Sequence, residues 1–142
     1  IAPDLTENEI EDIAAVVTSV GVDGVIISNT TVSRPASLNS PQPQTRETGG
    51  LSGPPVFPLA VHVVRRFYAL TNGTVPIIGC GGVRSADEVI AFARAGASLV
   101  QLYTAMGYAG PGIVADIKEG VAKRLERESV RWDDIVGADH RQ

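Results

Sequence analysis

A short apolar run followed by an amphipathic stretch that ends in glycine is the pattern that recurs along this chain of 142 residues. GVIIS (24–28), VPIIG (75–79) and LVQLY (99–103) are apolar, largely β-branched and too short for helices, so they read as strands. GVIIS in particular fits a strand buried on both faces. Between and around them the period changes. Thr6 is a good N-cap with Glu9 three residues on, and Ile10, Ile13, Ala14 and Val17 recur at helical spacing until Gly21. From Leu59, the positions Val63, Phe67 and Leu70 predict a second helix closed by Asn72-Gly73. Ser85 with Glu88 opens a third, which Gly96 ends, and Pro111 starts a last one whose stripe is Ile113, Val114, Ile117, Val121 and Leu125. A glycine-rich link joins Thr104 to that last helix, and the tail SVRWDDIVGADHRQ shows no period.

Strands alternating with helices over short links imply an α/β fold with parallel strands joined by right-handed crossovers. With Ile1-Ala2-Pro3 taken as the stump of a further strand, four such units make half of an eight-stranded β/α barrel or most of a small open sheet. Periodicity leaves both open. The short glycine-terminated returns favour the half barrel, as does a chain that opens on Ile1 with Met106 as its only methionine, which leads us to expect further chain upstream. The polar segment from Val32 to Pro55 interrupts the alternation. Its proline, serine and glutamine content cannot build a core, and it reads as a functional loop.

Composition narrows the function classes. Sixteen acids against 12 bases give a net charge of −4, which argues against a nucleic-acid surface. The single cysteine, Cys80, has no partner for an internal disulfide, so a reducing compartment is the default. No apolar run approaches the ~20 residues of a membrane span.

The segment GCGGV, between the strand VPIIG and the helix at Ser85, carries the first chemistry. Bare glycines let backbone N–H groups approach an anion, and a helix N-terminus adds a partial positive charge. Gly81 and Gly82 therefore form a candidate phosphate cradle, the alternative being a tight turn and nothing more. Other strand ends bring polar groups to the same face: Ser28, Asn29 and Thr30 after one strand, Tyr103 and Thr104 after another. In β/α barrels that C-terminal face holds the active site, with phosphate sites frequent after the seventh and eighth strands.

The motifs IAPDLT, SNTTVSRP, ETGGLSG, PIIGCGGV, AGASLVQLYTA and VGADHRQ, in this order and at these spacings, resemble the C-terminal half of a class 2, quinone-dependent dihydroorotate dehydrogenase. The resemblance covers nearly the whole chain. It implies an FMN-binding (β/α)8 TIM barrel, of which residues 1–142 would be the C-terminal half. The implied reaction is oxidation of dihydroorotate to orotate in pyrimidine synthesis: a base removes a proton, a hydride passes to the flavin, and the electrons go on to ubiquinone at the mitochondrial inner membrane or a bacterial cytoplasmic membrane. By the same resemblance, Asn29 and Thr30 hold the pyrimidine ring of the substrate, and Ser28 gives its hydroxyl to the flavin where the family often has threonine. Ser52 and Gly53, Gly81 and Gly82, and Tyr103 and Thr104 form three turns that hold the FMN phosphate. The catalytic serine, the flavin-contacting lysine and the helices for quinone and membrane contact belong to the family's upstream chain, so no catalytic base is expected among these residues.

Two other readings stay open: a different phosphate- or flavin-binding barrel, against which the run from Asn29 to Pro35 argues, and a non-catalytic fragment. Cys80 is expected to be a small buried thiol. His62 lies among valines without a second ligand at metal spacing and reads as a surface or packing residue; His140 reads as packing the tail on the barrel. The stretch Lys118 to Arg127 reads as the solvated face of the last helix.

Overall fold

The structure, a computed structural model, describes residues 1–36, 38 and 43–141; residue 37, residues 39–42 of the predicted loop and the terminal Gln142 lie outside the described residues. Local rules place the helices. Thr6 caps α1 (Glu7–Val20) in a reciprocal box, its own N–H donating to Glu9 Oε2 at 2.8 Å while the Glu9 N–H donates back to the Thr6 hydroxyl. Gly21, in the left-handed region at φ 75°, ends it. Then follow β1 (Val25–Ile27), α2 (Phe57–Leu70), β2 (Ile77–Cys80), α3 (Ala86–Ala95), β3 (Leu99–Gln101), α4 (Thr104–Ala109), α5 (Ile113–Glu128) and α6 (Trp132–Ile135). Short 3-10 turns occupy Gln44–Arg46, Pro54–Val56 and Ala138–His140.

The strands form one parallel sheet in the order β1-β2-β3, with Ile27 beside Gly79 and Gly79 beside Val100. Helices α2 and α3 cover one face. Ile27 and Ile77 on that face are fully buried against Val63, Val64, Phe67 and Phe92. Burial of this order is worth about 1.5–3 kcal/mol for each large side chain. Gly79 makes room for the Phe92 ring, since a Cβ there would lie 2.5 Å from Phe92 Cδ1, and the same ring meets Phe57 edge-on at 5.4 Å.

The opposite face has no cover among the described residues. Ile26 is 46 % exposed and Leu99 61 %, so the expectation that GVIIS is buried on both faces is corrected: only alternate residues are buried, because helices pack on one side alone. The strand expected at 75–79 is shifted to Ile77–Cys80. Pro76 has no N–H to give the ladder, although its carbonyl accepts from Val25 at 3.0 Å. The expected stump at Ile1 is not a regular strand. Its nitrogen donates to the Ile26 carbonyl and its carbonyl accepts from Asn29, each at 2.9 Å, so the residue lies along the free edge of β1.

Two further differences concern the C-terminal third. The glycine-rich link after Thr104 contains a helix, α4, which buries no residue and so leaves no periodic stripe to read. In α5, Ile117 is buried while Val114 is 39 % exposed, off the stripe set by Ile113, Ile117, Val121 and Leu125. The tail is held by single contacts rather than by a face. Trp132 Nε1 donates to the Ser98 carbonyl at 2.9 Å, and the Gly137 N–H to Ala93 at 2.8 Å. His140 stacks on Tyr68 at 4.8 Å and hydrogen-bonds the Ala95 carbonyl, in line with the packing role read from sequence. Asp139 joins Arg65 of α2 (3.0 Å) to Arg94 of α3 (2.9 Å).

Thr31, fully buried, anchors the start of the long loop. Its hydroxyl donates to Asp4 and accepts from the Ser33 N–H at 3.0 Å, and its main chain exchanges hydrogen bonds with Leu51 in both directions (3.0 and 2.7 Å). Partial burial raises the Asp4 pKa, but the hydrogen bonds from Thr31, Val32 and Ser33 outweigh it and hold the carboxyl below its ordinary value.

Replacing Thr31 by Val keeps the shape and removes that hydroxyl, so urea denaturation should show a loss of about 1–2 kcal/mol. Equal stability of Thr31→Val and the parent would contradict this role. For Asp139, burial raises the pKa and the two arginines lower it further than that, leaving it depressed. Such a group stabilises the fold above its unfolded pKa of about 3.9 and loses that contribution as pH falls through the lower folded value. Asp139→Asn should cost about 0.5–1 kcal/mol at pH 7, small because all three partners are partly solvated, and the difference should shrink as pH falls below the unfolded carboxylate value of about 3.9.

Candidate functional site

Because the strands are parallel and in register, their C-terminal ends meet at one level, and the loops leaving them build a common rim. At the end of β1, Ser28 is nearly buried and its hydroxyl donates to the Asn29 carbonyl at 2.9 Å, with the Cys80 carbonyl 3.4 Å away. Asn29 Oδ1 accepts from the Thr30 N–H at 2.7 Å, which fixes the side chain and, among the described residues, leaves its Nδ2 free to donate. The asparagine is thus both turn former and available donor.

The second wall comes from the long loop. Pairing of Leu51 with Thr31 brings Gly50, Ser52 and Gly53 over the strand ends. The approach is close: a Cβ on Gly50 would lie 1.9 Å from the Thr30 hydroxyl. Gly53, at φ 89°, opens the turn that leads into α2 and accepts from the Val56 N–H at 3.0 Å.

The third wall is the turn after β2. Gly81 (φ 126°) and Gly82 (φ 73°) adopt conformations that side chains rarely take. Gly82 is also required by packing, since a Cβ would meet Phe57 Cβ at 2.7 Å and the Gly53 carbonyl at 3.0 Å. At α3 the Ser85 cap is present but the expected box is corrected: Glu88 N–H donates to the Ser85 hydroxyl, whereas Glu88 Oε2 accepts at 2.7 Å from the Arg84 N–H, one residue before the cap, and so occupies the helix terminus itself. The amides left over are those of the turn. Among the described residues, the N–H groups of Gly53, Gly81, Gly82 and Tyr103 have no hydrogen-bond acceptor.

Ser28, Asn29, Thr30, Ser52, Gly53, Gly81, Gly82, Tyr103 and Thr104 all line one cavity of ≈ 510 Å³. Sequence reasoning missed Arg84, Leu102, Tyr108 and Ile113, which line it too. Tyr108 lies in the helix that left no pattern to read, Ile113 opens the helix after it, and Arg84 carries no motif signal of its own. The Cys80 expectation is corrected: the thiol is half-buried and lines the cavity, because β2 ends there and Cys80 points to the uncovered face beside Gln101. Among the described residues no carboxylate lines the cavity, and its cation, Arg84, is paired through Nε with Glu88 Oε1 at 3.1 Å. Hydroxyls, free amides on glycine turns and the absence of a fixed negative charge suit a bound anion such as a phosphate ester. His62 is 60 % exposed and pairs with Glu7 at 3.1 Å, away from the cavity. Among the described residues no group of three or more His, Cys, Asp or Glu could hold a metal ion, and no helix is long and apolar enough to cross a membrane.

Comparison with known proteins gives a consistent answer. A family model described as dihydroorotate dehydrogenase matches residues 1–125. The mitochondrial dihydroorotate dehydrogenase (quinone) of Arabidopsis thaliana is 51 % identical over 142 residues, covering 99 % of this chain and 31 % of that protein. The mitochondrial protein of the same name from Mus musculus is 50 % identical, with 100 % and 36 % covered, and the dihydroorotate dehydrogenase (quinone) of the bacterium Parvibaculum lavamentivorans is 50 % identical, with 98 % and 40 % covered. A crystal structure of ligand-free DHODH from Eimeria tenella superposes with a TM-score of 0.95 at 42 % identity, covering all of this chain and 39 % of that one. The chain therefore spans between 31 % and 40 % of the length of these relatives. Its parallel strands with packed helices form part of a β/α barrel, and the chain belongs to the dihydroorotate dehydrogenase family.

Proposed function

We propose that residues 1–142 are the C-terminal half of the catalytic barrel of a quinone-dependent dihydroorotate dehydrogenase, and that the cavity at its strand ends takes FMN and part of the pyrimidine substrate. The observation that carries this reading is the meeting of all nine resemblance-derived positions in one cavity lined, among the described residues, by free amides and hydroxyls and by no carboxylate. FMN, when bound, supplies the hydride acceptor for oxidation of dihydroorotate to orotate.

The chain's own residues would divide the work in the following way. The amides of Gly53, Gly81, Gly82 and Tyr103, with Ser52 and Thr104 beside them, hold the phosphate. They need no side-chain charge, because backbone N–H groups in a turn are already oriented. Asn29, its Oδ1 engaged by the Thr30 N–H, presents Nδ2 to a ring carbonyl of the substrate, and the Thr30 hydroxyl adds a second polar contact. Ser28 fixes the strand end and offers its oxygen to the flavin. Val56, Val83 and Leu102 exclude water from the rim. The proton-abstracting base and the flavin-contacting lysine come from upstream chain, and so do the quinone and membrane contacts. The uncovered side chains of Ile26 and Leu99 give that half an apolar face to close upon. Relatives named mitochondrial support the mitochondrial inner membrane as the site of action, and the Parvibaculum relative keeps a bacterial cytoplasmic membrane as the alternative.

Asn29→Ala in the intact enzyme removes the Nδ2 donor without adding a charge to the cavity. Flavin content should stay at the parental level while turnover of dihydroorotate falls about 5- to 150-fold, the equivalent of about 1–3 kcal/mol. Kinetics within twofold of the parent would remove Asn29 from the substrate site.

A further inference from the structure

Arg34 is spent entirely on the main chain of the long loop. A guanidinium has five N–H donors, and here each finds a carbonyl: Nε donates to Thr45 (3.2 Å), Nη1 to Val32 (3.1 Å) and Ser33 (3.0 Å), and Nη2 to Glu47 (2.7 Å) and Gly49 (3.0 Å). No carboxylate shares it among the described residues, so the charge is balanced by backbone dipoles alone. The arrangement joins two strands of loop, 32–34 and 45–49, that no regular element connects.

We propose that Arg34 is a positioning residue for the cavity, fixing the turn 49–53 against the strand ends; its bearing on cofactor rests on the functional reading above. The chain from Gly49 runs directly into Gly50, which touches the Thr30 hydroxyl, and into Leu51, paired with Thr31, before Ser52 and Gly53 reach the rim. Two anchors thus set that turn. Leu51 to Thr31 fixes its middle, and Arg34 to Glu47 and Gly49 fixes its entry. Without the second, the turn hangs on one bridge and the Gly53 amide loses its register with those of Gly81 and Gly82. Lysine cannot replace Arg34, because an ammonium is a point charge with three donors and cannot span carbonyls on both sides of a planar fork.

The test uses Arg34→Lys and Arg34→Gln in the intact protein, with two independent readings. Hydrogen exchange should speed up at least tenfold at Thr31 and Leu51, whose amides bond each other's carbonyls, in both variants while the amides of α1, α2 and α3 keep parental rates, a pattern that general destabilisation would not produce. FMN titrated into flavin-free protein should bind at least tenfold more weakly to both variants than to the parent. Parental exchange at Thr31 and Leu51 overturns the anchoring role, and parental FMN affinity alongside faster exchange overturns its bearing on the cavity. A parent protein that binds no FMN at all would count against the functional reading itself, which the exchange reading does not depend on.

Discussion

Parallel register at the ends of three strands is the constraint from which the site follows. Ile27, Gly79 and Val100 stand side by side, so the residues that come next in each strand arrive at the same height and their loops must share one rim. An antiparallel neighbour would have sent one of these loops to the opposite end. Helices α2 and α3 enforce the register from one side by packing Val63, Val64, Phe67 and Phe92 onto Ile27 and Ile77. The other side is left without cover among the described residues, an arrangement suited to a barrel interior more than to a free surface.

Glycine is the means by which this chain brings its parts close, and it does so in two separate places. At the rim, Gly50 and Gly82 let the long loop meet the strand ends at distances a methyl group would forbid. At the far side, the Tyr68 ring sits among Gly73, Gly96 and Gly137, where added Cβ atoms would lie 2.7, 2.3 and 2.2 Å from it, and His140 stacks on the same ring. The first set brings the long loop against the strand ends at the cavity rim, while the second ties the tail to α2 and α3. The glycines of both sets look alike in sequence, and only their neighbours in space tell them apart.

That difference marks how far the sequence could be read. The box at Thr6–Glu9 and the cap at Ser85 are local rules, and both are present as expected, although Glu88 turns to the Arg84 N–H instead of closing a second box. The strands and three of the main helices were legible from period, and the motifs carried the nine cavity positions. What escaped was non-local. Exposure of Ile26 and Leu99 depends on which face the helices choose, and the half-buried state of Cys80 on where β2 ends. The helix α4 buries nothing and has no period. The tail is held by one bond or ring contact at a time, from Trp132, Gly137, Asp139 and His140, which no repeating pattern can announce. Arg34 was quoted within a motif, but its five carbonyl partners lie up to 15 residues away and could not be inferred from it.

The central claim is that oriented amides at the strand ends hold a phosphate. Comparing FMN with riboflavin isolates it, because the two ligands share the flavin ring and differ in the phosphate alone. In titrations of flavin-free protein followed by quenching of flavin fluorescence, FMN should bind about 100-fold more tightly than riboflavin, as expected for two or more charge-assisted hydrogen bonds of about 1.5 kcal/mol each. Equal affinity for the two flavins would contradict the account.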